Sequence, residues 1–214
     1  MMVLNTDFDG TADGALSGFL RQAKEQLSQG VHRIQLVGEH AYVGALFDEA
    51  EFQRAPALSK WAVRVVHSIR GANYSTAVFG TMYFFWWVMR WMLDPSEEHF
   101  DEMPEWLRPV PNQLFMPHPM ILDFFLWPAL REYVVQHPSL HVGMNWLLDA
   151  AGTMNCGWSS PPEEALCKNA GTGGTDLSRD AKGYISNLQN WSLGPSFRKY
   201  IPNADALVSI RAEP

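Results

Sequence analysis

The stretch AVFGTMYFFWWVMRWML, Ala77 to Leu93, decides the fold. It sits at the lower length limit for a membrane span, carries Arg90 near its end, and runs straight into Asp94-Pro95 and an acidic segment. It therefore reads as a buried helix. From about Tyr74 to Leu93 almost every face is apolar, the pattern of a helix surrounded by others, and Pro95 prevents its continuation. The fold this predicts is all-α: a single-domain irregular helical bundle around an aromatic central helix.

Upstream, Leu16, Phe19, Leu20, Ala23 and Leu27 recur at three- and four-residue spacing, so a first helix runs from about Asp13 to Gln29, with Gly30 just beyond its end. Val31 to Phe52 reads as a second helix, interrupted only by Gly38 and Gly44. Pro56 opens a third, to Ile69. Downstream, Pro95, Pro104, Pro109, Pro111, Pro117 and Pro119 make the chain a stiff strap with at most a short helix at Glu97–Met103. A helix is expected to open at Pro119, break at Trp127-Pro128 and restart to Gln136. Short helices then end near Ala151, follow Pro161-Pro162 and cover Ser178 to Trp191, with no convincing strand. Residues 1–76 are thus N-terminal helices, joined in one domain to the remainder.

A chain of 214 residues can bury a real core, roughly 70% of the surface its unfolded form exposes. Nine Trp, twelve Phe and ten Met mean that rings and thioethers line much of it. The formal charge is −7 and basic residues cluster no further than Arg198–Lys199, so direct nucleic-acid binding is not expected. Cys156 and Cys167 form no Cys-x-x-Cys and point to a reducing compartment. Met1 to Gly10 has two acids and no basic segment, which is no secretory signal, so the expected location is cytoplasmic.

Chemistry-bearing motifs are few. There is no Gly-x-Ser-x-Gly, and the glycine-rich run Gly171 to Thr175 lacks the lysine of a phosphate loop. His32 with His40, and His137 with His141, find no completing carboxylate, so neither metal nor cofactor is expected. The remaining candidates are open to two readings each. His118, held between Pro117 and Pro119, is a directed acid, base or donor, or else bonds the strap's carbonyls. Asp123, Trp127 and Arg131 fall four apart on one helical face, where they touch a ligand or pair as Asp–Arg across the kink. Gln113 offers donor and acceptor to a ligand carbonyl or to exposed backbone. Tyr83, Trp86, Trp87, Arg90 and Trp91 wall a cavity or simply fill the core. Met89 and Phe115 complete the expected substrate contacts, with His118, Gln113 and Tyr83 as the catalytic candidates.

Arg108-Pro109, Gln113-Leu114, Pro117-His118, Asp123, Trp127-Pro128 and Leu130-Arg131, with the closing Asn190 to Asp205, resemble a fungal domain of unknown function. That domain usually follows a basic leucine zipper in transcription factors. The resemblance spans about 77–205, and no basic region or heptad seam stands before Arg108. It implies two functions. Stand-alone copies occur in fungal secondary-metabolite clusters, one resembling the Diels–Alder cyclase of a sordarin-type terpenoid pathway. On that likeness the protein is a cofactor-independent cyclase or isomerase enclosing a small apolar metabolite, since holding diene against alkene can supply most of the acceleration. The alternative is a regulatory or ligand-binding module, nuclear in location, acting through a partner. A homodimer stays open under either.

Overall fold

The computed structural model describes residues 5–6, 11–70 and 74–212, with side chains from residue 14 onward. The apolar stripe of helix α1 (Thr11–Ser28) turns inward, and Leu16 and Ala23 are fully buried. The helix ends at Gly30, which adopts φ +88° while the Val31 amide reaches back to the Gln26 carbonyl at 3.0 Å. Such a left-handed cap satisfies terminal carbonyls that lack helical partners.

Residues 31–52 do not form the single helix their pattern suggests. α2 (Arg33–Leu36) is one turn, a 3-10 turn covers Val43–Leu46, and α3 (Glu49–Arg54) restarts where the Asp48 carboxylate accepts from the Glu51 amide. The two glycines break it. Gly38 turns at φ +77° against Pro56, whose Cγ would lie 2.7 Å from any Cβ there, and Gly44 sits directly under the Glu51 carboxylate.

α4 (Ala57–Arg70) follows Pro56 and packs along α5 (Thr76–Leu93). Ser75 caps α5 through the Val78 amide, and every residue of the helix is buried except half-buried Trp87. Among the described residues no helix is long and apolar enough to cross a membrane.

The strap contains α6 (Glu97–Glu102), a 3-10 turn at Glu105–Leu107 and α7 (Pro111–Phe115), whose first residue is a proline with no amide to leave unbonded. β1 (Asn5–Thr6) then pairs in parallel with β2 (His118–Pro119). No α-helix opens at Pro119. Met120–Phe124 is a 3-10 turn, Leu126 bends, and Trp127 is extended ahead of α8 (Pro128–Gln136), because Pro128 disfavours helical geometry at residue 127. Asp123, Trp127 and Arg131 are consequently not a helical stripe.

The C-terminal third alternates short elements. α9 (Asn145–Thr153) follows a 3-10 turn at Pro138–His141. β3 (Asn155–Cys156) pairs antiparallel with β6 (Trp191–Ser192), and β4 (Leu166–Lys168) pairs antiparallel with β5 (Thr175–Leu177). α10 (Arg179–Ile185) ends well before Trp191, and α11 (Ala204–Leu207) closes the chain. The architecture is thus mostly helical, and three two-stranded pairings correct the expectation of no strand. Each strand has two or three residues, too few for an alternating pattern to register.

Candidate functional site

Four polar side chains of the proline-rich region meet in the interior. His118 and Gln113 have no exposed surface, Arg131 has 1% and Asp123 has 3%. Gln113 closes its own helix start, Oε1 accepting from the Val110 amide at 2.9 Å, and its Nε2 donates to Asp123 Oδ1 at 2.5 Å. His118 Nδ1 lies 2.8 Å from the Met116 carbonyl, which can only accept, so Nδ1 carries a hydrogen. His118 Nε2 faces Asp123 Oδ1 at 3.1 Å.

Arg131 reaches this cluster from α8. Nη1 donates to the Leu107 carbonyl at 3.2 Å, and Nη2 donates to those of Trp106 and Arg108 at 2.5 and 3.0 Å. Burial lowers its pKa to about 10, opposed by the charge of Asp123. Arg108 continues the tether, bonding the Met103 and Asp101 carbonyls with its guanidinium 4.8 Å from the Phe100 ring centre. The motif residues therefore bind the strap to itself.

The other candidates lie elsewhere. Tyr83 donates to Asp176 Oδ1 at 2.5 Å, and Lys182 meets the second oxygen at 2.6 Å, which locks β5 onto α5. Burial first, then the Asp176 charge, pushes the Tyr83 hydroxyl far above its ordinary pKa. Trp87 stands edge-on to Tyr83 at 5.1 Å. Trp86 lies under the Arg90 guanidinium, which pairs with Glu102, while Met89 is wholly buried and Trp91 packs on Phe100. Phe115 is 78% exposed at the end of α7. Trp127 borders a surface groove of its own.

A cleft of about 80 Å³ does open between α4, α5, the Met120–Leu126 segment and α9. Its walls are Ile69, Thr81, Phe84, Phe85, Ile121, Phe124, Phe125, Leu126, Leu147, Leu148, Ala150, Ala151 and Met154. None of the side chains singled out by sequence lines it. Phe85 stacks on Phe124 at 4.8 Å, and Arg70 fixes the far wall by donating to the Ala151 and Met154 carbonyls, each at 2.7 Å. The lone polar lining group, Thr81 Oγ1, already donates to the Ala77 carbonyl at 2.6 Å. Ligand sites commonly exceed about 300 Å³, so this one takes a single ring or short alkyl chain. Thr81, Phe84 and Phe85 stand at i, i+3 and i+4 along this edge of α5, a spacing that Tyr83 and Trp87 share on the other edge. Among the described residues no group of His, Cys, Asp and Glu could hold a metal ion.

A family model described as Domain of unknown function (DUF3425) matches residues 87–204. No curated protein and no solved structure matches the chain.

Proposed function

The chain belongs to the DUF3425 family, and we propose that it is a non-enzymatic regulatory module that captures a small apolar group in the cleft beside α5. The observation that supports this most is chemical. Every polar group at the cleft is already bonded, and the buried Gln113–His118–Asp123 cluster faces its own strap, so nothing stands ready to polarise a bound molecule. On this reading α5 is the central helix of the bundle, and its Phe84–Phe85 edge reports occupancy to the strap through Phe124. Action through a zipper-bearing or other protein partner fits the net charge of −7.

One observation favours a second reading, a cofactor-independent cyclase. The cleft touches both ring-rich segments, and a pericyclic closure needs enclosure more than acid or base. That reading requires the cleft to widen, because a terpenoid precursor needs several times its volume.

Titration with toluene and 1-hexanol, followed by shifts of the lining methyl resonances, tests the first proposal. Saturable shifts are expected, and Ala151→Leu, which fills the space, should abolish them. No shift at the solubility limit of either probe overturns the proposal. Product formation from linear diene-bearing precursors, lost in Ala151→Leu, would instead favour the cyclase.

A further inference from the structure

Charges of both signs line a groove of about 390 Å³ between α4, α3 and the 3-10 turn that precedes α3. Its floor is apolar, with Ala45, Leu46 and Val63 buried, and Phe47 and Phe52 supply its rings. α4 contributes Arg64 and His67, three residues apart, while the start of α3 contributes Asp48 and Glu49. Among the described residues none of the ion pairs involves any of these four. The Arg64 guanidinium lies 5.6 Å from the centre of the Phe52 ring, which places it over the wall of the groove. Asp48 Oδ1 accepts from the Glu51 amide at 2.9 Å and Glu49 Oε1 from Gln53 Nε2 at 2.6 Å, so each exposed carboxylate spends one oxygen inside α3 and keeps the other. Phe47 is 43% exposed, and its ring is held edge-on to Tyr74 at 5.1 Å.

We propose that this groove binds a zwitterionic amino acid with a ring-bearing apolar side chain, its carboxylate on Arg64, its ammonium on Asp48 and Glu49, and its ring against Phe47. Charge sets the class of guest. A simple anion that reaches Arg64 also meets two carboxylates, and a simple cation that reaches those carboxylates meets the guanidinium. An uncharged apolar body covers all of these charges and gives them no partner in exchange for water. Only a guest that carries both signs satisfies both elements at once. Its ring extends the edge-to-face packing of Phe47, and its ammonium gains from the ring faces beside it. The volume lies in the range of small-molecule sites, about 300 Å³ and above. The groove shares no lining residue with the apolar cleft, so the two proposals stand or fall independently.

The test uses the full chain labelled with 15N and follows the amide resonances of residues 45–49. L-Phenylalanine is titrated in, with 3-phenylpropanoate as its match lacking the ammonium and phenethylamine as its match lacking the carboxylate. Saturable shifts are expected with phenylalanine, at an affinity about two- to fivefold tighter than either match, the worth of one exposed charge contact. Arg64→Gln, at an exposed position, should abolish the advantage over phenethylamine. Asp48→Asn combined with Glu49→Gln keeps the oxygens that bond within α3 and should abolish the advantage over 3-phenylpropanoate. Ala151→Leu in the cleft should change neither. Unmoved resonances, equal binding of the three compounds, or an advantage that survives its variant overturns the proposal.

Discussion

Replacing Arg131 with Met removes three hydrogen bonds and almost no volume, so it isolates how the strap is held. The Leu107 carbonyl belongs to a buried residue and loses its donor outright, at a cost of about 1–3 kcal/mol. Trp106 and Arg108 are half-buried, and their carbonyls recover water in part, at about 0.5–1.5 kcal/mol each. Asp123 also loses the nearby cation. Against this, the variant no longer has to keep a guanidinium desolvated, the burden that lowers the Arg131 pKa. The net loss is about 2–5 kcal/mol. With a urea dependence of about 2 kcal/mol per molar, the unfolding midpoint should fall by about 1–2.5 M at constant slope. Arg198→Met, in the exposed pair with Asp205, should leave the midpoint in place. A fall below about 0.3 M in Arg131→Met would refute the reasoning and assign the strap's docking to its apolar contacts alone.

Two further outcomes follow from burial and backbone. His99 and His141 both have pKa values lowered from 6.5, chiefly by burial, so the unfolded chain binds protons that the folded chain refuses. Stability should hold above about pH 7 and decline from pH 6.5 downward; urea midpoints at pH 7.5 and 5.5 check this, and a rise on acidification contradicts it. For His99 the geometry gives the reason, since Arg33 Nη2, a donor, faces Nε2 at 3.1 Å and forbids a proton there. Gly38→Ala should cost about 1–3 kcal/mol in the same assay, from its φ of +77° and the 2.7 Å approach of Pro56; a neutral result would mean that the α2–α4 connection rearranges freely.

The sequence made the long elements legible because each repeats its apolar pattern over several turns. α1, α4 and α5 lie within two residues or so of their predicted spans. Local chemistry was readable too: Gly30 as a cap, Pro56 and Pro128 at helix starts, Pro95 as a stop, whereas the helix opening at Pro111 was read as strap. The region from Val31 to Phe52 was misread because the decisive contacts, Gly38 on Pro56 and Gly44 under Glu51, come from tertiary packing that periodicity does not encode. The family was recognisable from the strap motif, and the model match over 87–204 includes it. The cleft was hidden for another reason. Both edges of α5 are aromatic, and the Tyr83–Trp87 edge meets the β4–β5 hairpin while the Phe84–Phe85 edge faces the gap. Nothing in the order of residues distinguishes them.

The two sides of the Met120–Leu126 segment divide the polar cluster from the apolar cleft. Asp123 turns toward Gln113 and His118, while Ile121, Phe124 and Phe125 turn toward the cleft, and Trp127 continues to the outer groove. Asp123 Oδ2 and Arg131 Nε stay without a partner, yet the remaining bonds of this buried cluster leave few alternative arrangements, since breaking one strands a further polar group away from water. It therefore fixes where the phenyl rings stand without lining the cleft itself. Substitution at Ala151, Leu147 or Phe84 can reshape the cleft while the Arg-Pro, Pro-His, Asp and Leu-Arg elements stay intact. The motif that identifies the family thus marks how the strap is built, and on the proposed reading the identity of any guest would be set by the apolar residues it carries into position.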